Sequence, residues 1–357
     1  MPRKQKWFGI SVLLVALGAN PAHTRAQSAL MNLPDASQAA RVTQRIGITD
    51  ITIAYHRPLE HDRKVFGGLI AYDQVWRAGA NQNTTIEFGD PVKIEGQSLA
   101  KGTYGLHMIP GQRSWVVIFS KNSSSWGSFT YNSAEDALRV KVNPETIENH
   151  EALSFDFDDP QPNSAIVIMR WSTVAVPFKV EVNTPEIVEQ SLRNQLRGRV
   201  QFEWQAWTDA ANYLLNQNVD AEEAAKYADK SIDIEDRFEN EMTKSRALSA
   251  LGRKEEARAA YEKAVGLGNQ SQLHDFGRTL QAQGHQDEAM ELFRSNIKKD
   301  PNSWIGHNEA ARVAVAQGDY STALKEMKLA ASESPQPLKM QHLDLVRRLE
   351  NKEDINR

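Results

Sequence analysis

Asn183-Thr184-Pro185-Glu186 separates two kinds of sequence. Thr184 is a good helix N-cap, and Pro185 suits the first helical position because the N–H it lacks would be unbonded there anyway. No strand-like run follows. Upstream, from about Val42 to Val182, apolar and polar residues alternate at period two, as strands with one buried face require. Residues 51–55, 85–88, 92–94, 103–108, 115–119, 138–142, 153–157, 166–171 and 178–182 read as strands, with a short helix expected at about 71–77. Gly89-Asp90-Pro91, Glu95-Gly96, Pro110-Gly111 and Asn143-Pro144 supply turns. Short strands in this number without intervening helices imply an all-β sandwich or jelly roll over 27–183.

Downstream the sequence is helical and repeats itself. Ala224, Ala257, Ala289 and Ala323 are 33, 32 and 34 residues apart. Four residues after each come Ala228, Tyr261, Phe293 and Met327; five before each come Val219, Gly252, Gly284 and Gly318. Pro301 and Pro335 follow the last two by twelve. Small residues let two helices cross closely, the bulky one fills the next gap, Gly makes the tight turn and Pro ends the unit. The pattern resembles the tetratricopeptide repeat and implies an all-α tetratricopeptide-like solenoid over 184–357, with four units and a closing helix at 336–351. The first unit lacks its Gly and Pro.

The first helix of each such pair lines a concave surface. Six residues before each turn position stand Tyr213, Arg246, Arg278 and Arg312; ten before stand Asp209, Met242, His274 and Asn308. Tyr213, Arg246, His274, Arg278, Asn308 and Arg312 are therefore the candidate partner-binding residues. A line of guanidiniums suits the carboxylates of a protein or peptide partner, from acidic side chains or a C-terminus. The competing reading pairs each Arg with an acid on a neighbouring helix and leaves nothing to bind.

Met1 to Ala26 has the regions of an export signal: a basic start with Arg3, Lys4 and Lys6, the apolar run Trp7 to Ala19, and Thr24-Arg25-Ala26 for cleavage. The run is shorter than the about 20 residues a membrane-spanning helix needs. The expected mature protein is periplasmic or secreted, with no membrane span after cleavage. There is no Cys, so neither a disulfide nor lipid attachment at a Cys is available. The net charge is −4, and removing the four basic residues of the signal from 42 leaves 38 against 46 acidic, or −8. That balance argues against a nucleic-acid partner.

The strand-rich half carries its unusual polar residues between 55 and 87. Arg57-Pro58, Arg63-Lys64-Val65-Phe66-Gly67, Val75-Trp76-Arg77-Ala78-Gly79-Ala80-Asn81, Gly102 to Gly111 and Arg170-Trp171 resemble the motifs of an exported bacterial family, domain of unknown function 2911. The resemblance spans about 39–182 and implies an exported β-rich domain, with no established chemistry. His107 stands where the family commonly has an apolar or aromatic residue. From the residues themselves, His56, Arg57, Arg63, Lys64, Arg77, Asn81 and Glu87 are candidates for one pocket holding a small polar or anionic ligand. Arg57 and Arg77 would bind the anion, Asn81 would orient a carbonyl or hydroxyl, and His56 with Glu87 would move a proton. The competing reading makes Arg77 a buttress of a long loop, paired with Glu87.

No metal site is expected, because His56, His61 and His107 offer too few converging ligands. Ser123 to Ser128 lacks the serine-hydrolase elbow, no phosphate-binding glycine motif occurs, and no cofactor is expected. Trp115 and Trp171 read as core, and Trp126 as the cap of a loop. These readings favour a binding or adaptor protein of the cell envelope; the alternative is an envelope enzyme acting on glycan or peptide, centred on the His, Arg, Asn and Glu above.

Overall fold

The computed structural model describes residues 34–356; the expected export signal lies outside them. The first half holds ten strands among the described residues: β1 (Gln38–Ile46), β2 (Thr49–Arg57), β3 (Thr85–Phe88), β4 (Val92–Ile94), β5 (Gln97–Leu99), β6 (Gly102–Ile109), β7 (Trp115–Ser120), β8 (Asp136–Val142), β9 (Glu145–Gln161) and β10 (Ser164–Val182). They form two antiparallel sheets ordered β1-β2-β3-β6-β7-β8 and β5-β4-β10-β9. Alternation explains the stacking: Ile51, Ile53 and Tyr55 of β2 are buried while the residues between them are less so. They meet Phe155, Val167, Met169, Trp171 and Phe178 of the second sheet in one core. The Tyr55 hydroxyl accepts the Phe155 N–H at 3.1 Å and ties the sheets together.

Three local expectations need correction. Residues 166–171 and 178–182 belong to one strand, β10, because the lapse in alternation between them is a bulge, with Ser172 at φ 53° and register shifts on either side. A bulge bends a strand without ending its pairing. No helix forms at 71–77; Trp76 and Met108 exchange N–H···O bonds of 2.8 Å as an antiparallel bridge, so this loop adds an extended piece beside β6. Two strands, β1 and β5, stand beyond those expected: β5 is three residues and mostly polar, and β1 carries only Val42 and Ile46 as large apolar residues.

The second half is α1 (Thr184–Gln195), α2 (Trp204–Gln217), α3 (Ala221–Ile234), α4 (Phe238–Ala250), α5 (Lys254–Leu267), α6 (Gln270–Ala282), α7 (Gln286–Ile297), α8 (Trp304–Ala316), α9 (Tyr320–Glu333) and α10 (Gln336–Glu350). The cap of α1 is Asn183, one residue before the expected Thr184. Asn183 Nδ2 donates to Glu186 at 2.6 Å, and Ile187 packs against the sandwich core. Helices α2/α3, α4/α5, α6/α7 and α8/α9 are the repeat pairs, and α10 packs on α9 as the closing helix. Ala224, Ala257, Ala289 and Ala323 are all buried in the second helices. Among the described residues no helix is long and apolar enough to cross a membrane.

The turn between paired helices is a Schellman closure, in which the residue after the left-handed position bonds back to the helix. Arg253, His285 and Asp319 N–H groups reach the Leu248, Leu280 and Ala314 carbonyls, with Gly252, Gly284 and Gly318 at φ 74°, 86° and 79°. In the first unit Val219 N–H reaches Leu214, and Asn218 takes the left-handed position at φ 52°. Asn tolerates that region where most side chains do not. Asn218 therefore replaces Val219 as the equivalent of the turn glycines.

Candidate functional site

The 58–84 loop is held by aromatic packing. Phe66 meets Trp115, Trp76 and Trp171 edge-on at 4.8, 6.0 and 6.0 Å, and Trp76 stacks on Trp171 at 5.8 Å. Trp76 Nε1 donates to the Gly79 carbonyl at 3.1 Å. With Trp76 and Met108 paired and buried in the core, alternation sends Arg77 and His107 to the outer face of the six-stranded sheet.

The seven sandwich candidates do not converge. His56 lies on the outer face of β2, 3.5 Å from Asp35, and Arg57 donates Nε to the Leu153 carbonyl at 3.0 Å. Arg63 closes its own loop, donating to the Glu60 and Leu59 carbonyls at 2.8 and 2.6 Å. Lys64 is exposed. Asn81, at φ 56°, donates to the Ser37 carbonyl at 3.4 Å. Glu87 is exposed and pairs across the sheet with Thr52, so four residues of β2, roughly 13 Å at about 3.3 Å each, separate it from His56. Neither the proton relay nor the Arg77–Glu87 pair forms.

Arg77 instead lies beneath a loop that sequence reasoning did not join to it. Its guanidinium sits 5.7 Å from the Trp126 ring, and its buried Nε has no partner. Burial also lowers its pKa. The loop is seated on Gly105, where an added Cβ would stand 2.3 Å from the Asn122 carbonyl oxygen. That was the legible clue: a glycine inside a strand often marks close backbone approach. Asn83 holds the loop from the other side, its N–H bonding to Ser125 and its Nδ2 to Asn122, both at 3.2 Å. Further along, His107 is buried against Ser128 at 3.1 Å and Tyr131, and burial pushes its pKa down to about 4. Tyr131 donates to Asp136 at 2.7 Å; burial and that carboxylate push the phenol up to about 12.

In the solenoid, the register correction moves the first-unit position from Tyr213 to Asn212. Asn212 is what Arg246 engages, with Nη1 on Asn212 and Nη2 on Asn216, both at 2.8 Å. Arg278 bonds to Gln281. Arg312 is buried, donating to Asn308 Oδ1 at 2.8 Å and to the Ile355 carbonyl at 2.7 Å. None of the three forms an ion pair with a carboxylate among the described residues. The expected stripe thus reaches solvent at Arg246 and Arg278, and its third member serves to hold the segment after α10.

His274 and Asn308 are buried as well. Asn308 Nδ2 meets His342 at 2.8 Å, and His274 Nδ1 meets Glu309 at 3.2 Å. A cleft of about 710 Å³ between α6, α8 and α10 is lined by His274, Arg278, Trp304, Asn308, Arg312 and His342 with Leu338 and Met340. Another, of about 900 Å³, carries Arg246, Met242 and Phe238. Both clefts combine apolar walls with a guanidinium.

No curated protein matches the chain. Among solved structures it is similar to "Crystal structure of MamA", at 14% identity over 42% of this chain and 88% of that one, with a TM-score of 0.29. It is also similar to YrrB, described as a TPR protein with an unusual peptide-binding site, at 20% identity, 46% and 84% coverage and a TM-score of 0.28. A third, MamA 41-end from Desulfovibrio magneticus RS-1, shares 17% identity with 48% and 89% coverage and a TM-score of 0.27. Residues 242–268 and 274–336 match models of the tetratricopeptide repeat, a type of array that presents extended binding surfaces. Residues 37–180 match the model described as Protein of unknown function (DUF2911), so the chain joins a domain of that family to a tetratricopeptide-repeat solenoid.

Proposed function

We propose that the protein is an exported binding or adaptor protein of the cell envelope. Its repeats capture an acidic segment of a protein partner, and its sandwich holds a small polar or anionic ligand. One observation carries the reading: Arg246 and Arg278, equivalent in successive repeats, rest against amide oxygens and not carboxylates. A guanidinium with neutral partners keeps its charge for an incoming anion, and its fork geometry suits a carboxylate. The apolar side chains beside each, Met242 and Phe238 at one and Trp304 and Leu338 at the other, supply the burial that a charge contact alone lacks.

The test is fluorescence anisotropy with a labelled Asp- and Glu-rich peptide of about ten residues. Arg246→Glu combined with Arg278→Glu is expected to weaken binding by about a hundredfold or more, since each charge-assisted contact contributes on the order of 1.5 to 3 kcal/mol. Added salt should weaken native binding too. Undiminished affinity in the double variant would sink the reading. Export is tested by fractionation, where the expected outcome is a shortened chain in the envelope fraction and the contrary one a full-length chain in the cytoplasm.

A further inference from the structure

We infer that the outer face beneath the 122–129 loop binds a ring bearing a carboxylate and a hydroxyl, the chemistry of a sugar acid. The inference rests on reading the sandwich as a ligand-binding domain, and it names the site and the ligand class.

Three features meet under or on that loop. Arg77 forms no hydrogen bond or ion pair with any described residue, although a guanidinium carries five N–H donors. Trp126 lies against it at 5.7 Å. The Trp126 contact is no hydrogen bond, so it leaves the Arg77 N–H donors without an acceptor, and a carboxylate supplies one. Burial without a counter-charge disfavours the ionised form, a cost that a bound carboxylate would offset.

The second feature is an acceptor without a donor. Asn83 spends its N–H and its Nδ2 on the loop carbonyls of Ser125 and Asn122, and its Oδ1 is left buried and unpartnered. A buried amide oxygen in that state calls for a donor from outside the chain, and a hydroxyl supplies one. The third is the aromatic pair at the tip. Trp126 and Phe129 stack at 5.9 Å and 12° yet are 61% and 80% exposed. A pyranose presents a C–H face to such rings. Gly127 lets the loop close down on Arg77, since a Cβ there would stand 2.7 Å from Arg77 Nη1 and 3.2 Å from the Phe129 ring. Donor, acceptor and platform match the carboxylate, hydroxyl and ring of one ligand.

The experiment is calorimetric titration of the full chain with glucuronate, glucose, phenylacetate and inorganic phosphate. Glucuronate is expected to bind at least about tenfold tighter than glucose, which lacks the carboxylate, and than phenylacetate, which lacks the hydroxyl. Arg77→Gln and Trp126→Ala should each weaken glucuronate about tenfold or more. Trp126 is exposed, so its variant should keep the native melting temperature and remain informative if Arg77→Gln misfolds. No glucuronate binding, or binding unchanged in both variants, would overturn the assignment. Phosphate or phenylacetate bound in an Arg77-dependent way, without glucuronate, would sink the sugar acid and leave the sandwich a ligand-binding domain. Silence with all four would count against both.

Discussion

Trp171→Ala is expected to destabilise the sandwich by about 4 kcal/mol and to release the loop that carries Arg77. Trp171 is 1% exposed. It is the floor on which Trp76 stacks and against which Phe66 sets its edge. Deleting it opens a cavity beneath the two anchors of the 58–84 loop, a segment whose regular pairing is confined to the isolated bridges Leu59–Ala152, Phe66–Ile70 and Trp76–Met108. Trypsin should then cut at Arg63, Lys64 or Arg77 under conditions where the native chain resists. The companion Trp171→Phe should cost much less, because the buried indole Nε1 has no partner and loses none. Thermal melts and timed proteolysis distinguish the outcomes. A Trp171→Ala chain with native melting and a protected loop would show that the loop is held by something other than this aromatic stack.

The second large effect is on the pH dependence of the solenoid. Glu309 is fully buried in α8, accepting from Asn296 Nδ2 at 2.8 Å and meeting His274 at 3.2 Å, with its other oxygen unpartnered. Burial pushes its pKa from the usual 4.5 up to about 8, against the opposing pull of Asn296 and Arg312. Burial pushes His274 from 6.5 down to about 4, helped by Arg312 and Arg278 and opposed by Asp275. The contact between them is therefore a neutral hydrogen bond in mild acid. His342 lies nearby with its pKa lowered by burial and by Arg312, and Arg312, lowered to about 9, stays charged throughout this range.

The signs follow from linkage. A raised carboxyl contributes stability that is complete below 4.5 and is lost as pH rises through about 8. A depressed imidazole contributes stability that is complete above 6.5 and is lost as pH falls through about 4. Between 4.5 and 6.5 the slope of Glu309 is opposed by those of His274 and His342, so its decline with rising pH is offset there. From 6.5 to 8 only Glu309 acts, and stability should fall by roughly 2 kcal/mol, at about 1.4 kcal/mol per unit. Glu309→Gln keeps an acceptor for Asn296 and removes the titration. Melts at pH 6 and pH 8 should differ for the native chain and agree for the variant. An equal decline in both would place the titrating group elsewhere.

The sandwich site was less legible than the fold for a reason visible in particular residues. His56 and Glu87 look adjacent in a list of polar residues, yet the pairing of Thr52 with Glu87 spaces them along the sheet. Trp126 and Asn122 are far in sequence from Arg77 and Asn83, and they meet because the loop after β7 folds back over Gly105. The solenoid shows the same limit on a smaller scale. Reading Val219 as the turn position placed Tyr213 on the inner stripe, whereas left-handed Asn218 puts Asn212 there.

What the sequence by itself determined is whatever depends on neighbours in the chain. Period-two runs made strands, period-3.6 runs with glycine turns and buried alanines made paired helices, and the change at Asn183 marked where one gave way to the other. Those preferences act within a few residues and can be read one segment at a time. Tertiary structure alone decided which side chains share a surface. That depends on strand order, bulges and loop docking, where a shift of one residue turns a side chain to the opposite face.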